Sequence, residues 1–457
     1  MKINPNIFRA YDIRGIYPQE INEAVVYKVG KALFKLLKPK KIVVGRDARL
    51  SSPALRDALV KGLTESGINV VDIGLSTTPM LYFGVNFLNA DGGVEISASH
   101  NPGEYNGLKI VRERAIPISG ETGIGQIRDL LLDSTSLAQK SKSQGRLILK
   151  DIKKEYINFL TKEVKAPLTL PGKIVVDAGN GMAGLLLDDI LKKLNMQYFP
   201  LYFEPDCTFP HHEANPLKEE TLQDLKGKMR EIGANLGVAF DGDGDRVAFL
   251  DEKGKVVSAS YLTALIARQI LKEKGPGTIL YDLRLSRIVP EVVKEWGGKA
   301  LKIRVGHSFI KQKMQEVKAL FAGELSGHFY FPFQFPQGIS YFESGIFAMI
   351  KIFEIISREE KPLSELILPF QRYYHSGEIN FELKNKEEAL KKLAEIYKDA
   401  KLSYLDGLTV EYSDWWFNVR PSNTEPLLRL NLEAKTKDLM EAKLEEIKKA
   451  IKSRIND

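Results

Sequence analysis

Cysteine is almost absent: the 457-residue chain contains one, Cys207. A lone thiol cannot build an internal disulfide framework, so the fold has to rest on its cores, and a reducing, cytoplasmic setting is expected. Long apolar runs are also missing. The longest apolar helical pattern, "GISYFESGIFAMIKIFEII", is interrupted by Glu343 and Lys351, so no transmembrane helix is expected. The opening stretch "MKINPNIFRAYDIRG" has no apolar h-region, so no signal peptide is expected either. Nor is there a block of one charge. The net charge of +7 would allow a nucleic-acid partner, but the lysines are scattered over helical stretches beside glutamates, as in "MEAKLEEIKKAIKSR". That is the pattern of solvated helix faces. The arginines in glycine- and serine-rich loops suit a small anionic substrate instead, and the expectation is no nucleic acid and no membrane.

What the chain does have is length for three or four domains and a repeated plan. "KKIVVGRD", "GKIVVDAG" and "GTILYDLR" each run an apolar strand into a loop bearing Asp with Gly or Arg, and a helical pattern follows. In the first copy Ser52 is expected to cap the helix, with Pro53 at its first position. A second strand comes next ("INVVDIG", "QYFPLYF", "KALKIRV"), and after another helix a third ("GGVEIS", "LGVAF", "ALFAG"). Alternating strands and helices give sheets with helical cover, and loops at the strand ends build the site. The tail differs. From about Tyr373 it reads as strand, helix, three strands and a last helix, a smaller α+β domain.

The third strand of each copy delivers a distinctive loop: "SASHNP", "DGDGDR" and "GELSGH". In the first, Ser99 stands beside His100, with Pro102, Gly103 and Gly107 expected to hold the turn in shape. In the second, Asp241, Asp243 and Asp245 recur at i, i+2, i+4, a spacing that an extended backbone would turn to one side. Three converging carboxylates repel unless a cation sits among them, and oxygen-only ligands suit a hard ion such as Mg²⁺. An EF-hand also opens D-x-D-x-D, but it needs Gly where this chain has Arg246. The third loop carries Glu324, Ser326 and His328.

Other stretches are weighed beside these. "GNGMAG", Gly179 to Gly184, matches a dinucleotide fingerprint, yet its glycines equally shape a tight strand-to-helix turn, and that plainer reading is preferred. "FNVRPSNTEP" gathers Arg420, Ser422, Asn423 and Thr424, an arginine fork plus hydroxyl and backbone donors, which is what a phosphate monoester asks for. "FRAYDIRG" adds Arg9, Tyr11 and Arg14, and "RVGHS" adds Arg304, His307 and Ser308. His211 and His212 read as loop residues, and Trp415 and Trp416 as core. A carboxylate loop, a phosphate-type loop and an exposed serine together suit phosphoryl transfer, where a protein works by positioning and by neutralising charge.

With these motifs assembled, the chain resembles the α-D-phosphohexomutase family over essentially its whole length. "SASHNPGEYNGLKI" is similar to the family's phosphoserine loop, "DGDGDR" to its magnesium loop, "GELSGH" to its sugar loop and "RPSNTEP" to its phosphate loop. The resemblance implies three similar α/β domains with mixed sheets and a smaller C-terminal α+β domain around a central cleft. The expected boundaries are 1–150, 151–254, 255–368 and 369–457. It implies a phosphoserine at Ser99, which with Asp241, Asp243 and Asp245 would hold Mg²⁺. Lys109 and His328 would be acid/base candidates, with Arg246 beside the transferring group and His100 a further catalytic residue. Glu324 and Ser326 would hold sugar hydroxyls, Arg420, Ser422, Asn423 and Thr424 the non-reacting phosphate, and Tyr11, Arg14 and His307 would line the cleft. Arg284 stands where the closest relatives tend to have Lys. The implied reaction interconverts hexose 1- and 6-phosphates through a 1,6-bisphosphate, which could also act as an activator. "GELSGH" is closest to phosphomannomutase/phosphoglucomutase; the alternatives are a phosphoglucosamine mutase, a dinucleotide-dependent dehydrogenase or a non-catalytic binder. A monomer or small homo-oligomer taking sugar phosphates is expected.

Overall fold

Four sheets carry the described residues, and the alternation of apolar segments decides which strands enter them. The computed structural model describes residues 3–133, 137, 143–164, 167–170, 172–383, 385–421 and 427–452. It divides into two compact units: 1–257 with 311–321 and 326–366, and 258–310 with 322–325 and 367–457.

In the first unit a six-stranded sheet runs in the order Ile13–Ile16, Tyr105–Arg112, Gly92–Ile96, Lys41–Arg46, Asn69–Leu75, Leu147–Leu149. The four strands from Gly92–Ile96 to Leu147–Leu149 are parallel. Tyr105–Arg112 turns back antiparallel and Ile13–Ile16 pairs with it. Central strands such as Gly92–Ile96 are buried at every residue, as a sheet covered on both faces requires. Helix Glu23–Leu37 starts where the Asn22 side chain accepts the Val25 N–H at 3.2 Å. Helix Ser52–Glu65 differs from expectation. Ser52 lies inside it rather than at its cap, because its hydroxyl donates to Asp47 Oδ1 at 2.5 Å.

A second sheet orders Val256–Val257, Val247–Leu250, Leu236–Phe240, Ile174–Asp177 and Tyr198–Leu201, again parallel in its core with an antiparallel edge. The longest apolar helical pattern divides into strand Gly338–Glu343 and helix Gly345–Glu359, capped by Ser344. Aromatic side chains tie these segments together: Phe83 lies 4.9 Å from Phe159, and Phe159 lies 5.2 Å from Phe335. Such pairs are worth about 0.5–1.5 kcal/mol each beyond their burial.

In the second unit, strands Thr278–Asp282 and Lys299–Ile303 are parallel and helix Ala259–Lys274 contributes a buried face. Its C-terminal part is an antiparallel sheet ordered Tyr374–Glu382, Leu427–Ala434, Trp415–Pro421, Leu408–Glu411, Lys401–Ser403. Leu393, Ile447 and Ile451 of its two helices pack into the same core as Phe417, Val419 and Leu430. Among the described residues no helix is long and apolar enough to cross a membrane.

Candidate active site

Strand Gly92–Ile96 ends in the loop that carries Ser99. Ser99 adopts φ +54°, a left-handed conformation that costs an L-residue about 1–2 kcal/mol, so something must hold it there. The holder is Arg49, which is 1 % exposed. Its Nη2 donates to the carbonyls of Ser99 (2.9 Å) and Asn101 (2.7 Å). Its Nη1 donates to those of Pro102 (2.6 Å) and Tyr105 (3.0 Å), and its Nε to Asp47 Oδ2 (3.0 Å). All five guanidinium donors are therefore used. The Ser99 N–H donates to Ser97 Oγ at 3.0 Å. Ser99 is buried rather than exposed as expected, because the carboxylate turn closes over it: its Oγ lies 3.0 Å from Asp241 Oδ2 and 3.2 Å from His100 Nδ1. Burial, then the charges of Arg246 and Arg14, hold the His100 pKa well below its ordinary value, so its ring is neutral at pH 7.

The three aspartates follow strand Leu236–Phe240 in a turn, not in the extended run expected from their spacing. The turn still converges them: one oxygen from each of Asp241, Asp243 and Asp245 lies within 4.8 Å of the others, and all three residues are buried. Gly242 allows the approach of the serine loop, since a Cβ there would stand 2.4 Å from the Ser99 carbonyl oxygen. From the other side the Gly179–Gly184 loop backs this turn. Met182 N–H donates to Gly242 O at 2.8 Å, and a Cβ on Gly181 would lie 3.0 Å from Asp241 O. These glycines thus shape a strand-to-helix turn that supports the carboxylates.

Electrostatics separates the three acids. Burial raises the Asp241 pKa well above the ordinary value, helped by its two acidic neighbours and opposed by Arg246. Burial also works to raise Asp243 and Asp245, but Lys109 reverses the balance for both, with His328 adding to it at Asp245. Lys109 Nζ lies 2.5 Å from Asp243 Oδ2 and 2.7 Å from Asp245 Oδ2, and Thr78 Oγ1 donates to Asp243 Oδ2 at 2.5 Å. Asp243 Oδ1 is buried and accepts no hydrogen bond from the described residues. Oxygen-only donors, surplus negative charge and that orphaned oxygen fit a hard divalent cation.

His328 joins the same cluster. Its Nε2 lies 3.1 Å from Asp245 Oδ1, its Nδ1 lies 2.9 Å from Ser326 Oγ, and Arg246 Nε approaches Nε2 at 3.3 Å. Arg14 pairs with Asp12 and donates to Asn101 Oδ1 at 2.6 Å, beside the serine loop, and Tyr11 lies in the segment just before strand Ile13–Ile16. The structure thus gathers Ser99, His100, Lys109, Asp241, Asp243, Asp245, Arg246, Ser326 and His328.

Of the remaining expected residues, Arg284, His307, Glu324 and Arg420 lie in the second unit. Arg284 donates to Asp282 Oδ2 at 2.6 Å and stands 3.9 Å from Glu324 Oε1. Glu324 Oε1 accepts the Gly306 N–H at 3.3 Å, and His307 opens the next helix. Arg420, 4 % exposed, contacts Glu378 at 3.3 Å, which also pairs with Arg429. Burial, then the nearby Arg284, lowers the Arg420 pKa, with Glu378 opposing. Ser422, Asn423 and Thr424 lie outside the described residues.

Arg49, Thr78 and Gly242 escaped the sequence reading. "GRDARLSS" carried a signal, an Asp-x-Arg after a strand, but nothing local says whose carbonyls the arginine meets. Of the residues set aside, Trp415 and Trp416 are buried as expected. His211 contacts Asn180 and His212 contacts Asp177, so the pair points to different partners.

Comparison with known proteins covers most of the chain. Residues 5–136, 154–254 and 258–373 match the alpha/beta/alpha domains I, II and III of phosphoglucomutase/phosphomannomutase, and 378–450 match its C-terminal domain. A phosphomannomutase of Methanocaldococcus jannaschii is 44 % identical over 97 % of both chains. One of Escherichia coli is 39 % identical over 96 % of this chain and 98 % of its own. The crystal structure of a phosphoglucomutase/phosphomannomutase family protein from Burkholderia thailandensis superposes with a TM-score of 0.89 at 31 % identity, covering 99 % of this chain and 98 % of the other. The chain belongs to the phosphoglucomutase/phosphomannomutase family.

Proposed function

We infer that this phosphohexomutase interconverts the 1- and 6-phosphates of mannose and glucose, with Ser99 as the phosphoryl carrier. One observation carries the assignment of Ser99: its Oγ lies 3.0 Å from Asp241, a residue 142 positions away in the carboxylate turn. Phospho-Ser99 gives its phosphoryl group to the free sugar hydroxyl. The P–Oγ bond breaks as the new P–O bond forms, and the product is a hexose 1,6-bisphosphate. The hydroxyl proton passes to a nearby base, and a proton returns to Ser99 Oγ. Lys109 and His328, both in contact with Asp245, are the groups suited to that exchange. The bisphosphate then presents its other phosphate and the steps run in reverse.

Asp241, Asp243 and Asp245 would hold Mg²⁺, which neutralises phosphoryl charge when bound. Arg246 adds a fixed positive charge beside them. Glu324 and Ser326 take sugar hydroxyls. Arg284 and Arg420, with Ser422, Asn423 and Thr424, take the phosphate that does not react, and Tyr11, Arg14 and His307 complete the substrate surface. The relatives at 44 % and 39 % identity are named phosphomannomutases, which favours mannose and glucose phosphates over an amino sugar. The test is intact mass and peptide mapping after incubation with hexose 1,6-bisphosphate. One phosphoryl group is expected on Ser99, and Ser99→Ala should cut turnover by orders of magnitude. Near-normal turnover in Ser99→Ala overturns the assignment.

A further inference from the structure

The carboxylate turn already contains a cation of its own. Lys109 projects from strand Tyr105–Arg112 with only 7 % of its surface exposed, and its ammonium bridges Asp243 Oδ2 and Asp245 Oδ2. Two of the three carboxylates thus spend one oxygen each on Lys109. Without it the turn would hold three buried acids against the guanidinium of Arg246, at 3.7 Å from Asp241 and 4.0 Å from Asp245, and the His328 ring, at 3.1 Å from Asp245. Uncompensated charge of that kind is costly in a buried site.

A divalent ion makes the same ammonium redundant. Metal, Lys109 and Arg246 together would outweigh the three carboxylates, and like charges repel strongly where little water screens them. The turn also keeps a foothold for an arriving ion while the ammonium is seated, because Asp243 Oδ1 is buried and has no partner among the described residues.

We propose that Lys109 is an exchangeable internal counter-ion: it neutralises Asp243 and Asp245 when no metal is bound and withdraws from them when a divalent cation binds. The inference rests on the metal reading of the turn given above. It accounts for how the same turn could stay folded with or without its ion. It also gives the lysine two positions, one on the carboxylates and one free to face the phosphoryl group on Ser99.

The experiment uses the full chain in a Ser99→Ala background, so that charge at residue 99 stays constant. Mg²⁺ binding is measured by calorimetry, and melting is followed with EDTA and with Mg²⁺. Removing the competing ammonium in Lys109→Met should tighten Mg²⁺ binding at least tenfold. It should lower the melting temperature in EDTA by several degrees, and Mg²⁺ should restore it. The protein with Lys109 intact should change little between the two conditions. Mg²⁺ binding that is unchanged or weaker in Lys109→Met overturns the exchange. Absence of Mg²⁺ binding to either protein overturns the metal reading and the exchange with it. If Lys109→Met does not fold, a crystal structure of the Lys109 protein soaked with Mn²⁺, located by anomalous scattering, decides. Lys109 Nζ should then have left hydrogen-bonding distance of Asp243 or Asp245, and retention of both contacts with metal bound overturns the proposal.

Discussion

Replacing Arg49 with methionine removes five N–H donors from a buried site while roughly keeping its volume. Four of those donors hold the carbonyls of Ser99, Asn101, Pro102 and Tyr105, and the fifth pairs with Asp47. Removing one partner of a buried ion pair costs about 3–5 kcal/mol, because the other charge is stranded. The carbonyls add less than their number suggests, since a loosened loop can take up water. For a cooperative unit of about 150–250 residues, each kcal/mol lowers the melting temperature by about 2–4 °C, so a fall of about 6–20 °C is expected. Activity should suffer separately. Freed from Arg49, Ser99 can relax out of its left-handed conformation, which is disfavoured by about 1–2 kcal/mol. A displacement of about 1 Å at a reacting atom costs about 10²-fold in rate. Arg49→Lys separates the two effects: it keeps a charge for Asp47 but lacks the planar five-donor fork. It should recover much of the melting temperature and little of the turnover. The assays are thermal unfolding and steady-state turnover with hexose 1-phosphate and Mg²⁺. If Arg49→Met melts within about 1 °C of the parent and turns over within about twofold, smaller than any effect a buried five-bond arginine allows, the argument is refuted.

Gly242→Ala should lower turnover at least about tenfold, because a Cβ at 2.4 Å from the Ser99 carbonyl must push the serine loop away from Asp241; the overpacking itself costs about 1–3 kcal/mol in a melting experiment. His212 should make stability fall with rising pH. Burial works to lower its pKa, but the Asp177 hydrogen bond and charge and the Glu213 carbonyl outweigh it, so the folded value lies above the ordinary one. The stabilisation is then complete below about pH 6.5 and is lost as pH rises through the folded pKa. His212→Gln should flatten melting temperature against pH over that window, and an unchanged slope counts against the pairing. Mannose and glucose phosphates should differ by no more than about tenfold in kcat/KM, about 1.4 kcal/mol, if no side chain is dedicated to the 2-hydroxyl; a thousandfold gap, or a preference for glucosamine phosphate, would point to such a contact.

The sequence by itself determined the elements and the chemistry of the loops. Apolar segments of strand length, each followed by a turn and a helical period, announced the strands at Lys41–Arg46, Ile174–Asp177 and Thr278–Asp282. The three acids of "DGDGDR" pointed to positive charge among them, because converging carboxylates repel one another and oxygen-only ligands suit a hard cation. These are local signals, carried by residue type and spacing over a few positions. Tertiary structure alone decided which loops meet. Ser99 reaches Asp241 across 142 residues and Lys109 reaches Asp245 across 136, and no periodicity records such a pairing. It also decided that Ser52 serves Asp47 rather than the helix end, since a nearby buried carboxylate is a stronger acceptor than the role its position suggested. Arg49 is the clearest case. Its sequence neighbourhood shows a charged residue after a strand, an ordinary surface feature, and only the fold closes Pro102 to Tyr105 over it and turns it into the buried hub of the serine loop. Local preference comes from the backbone and can be read along the chain, whereas the partners of a buried charge are set by how distant segments pack.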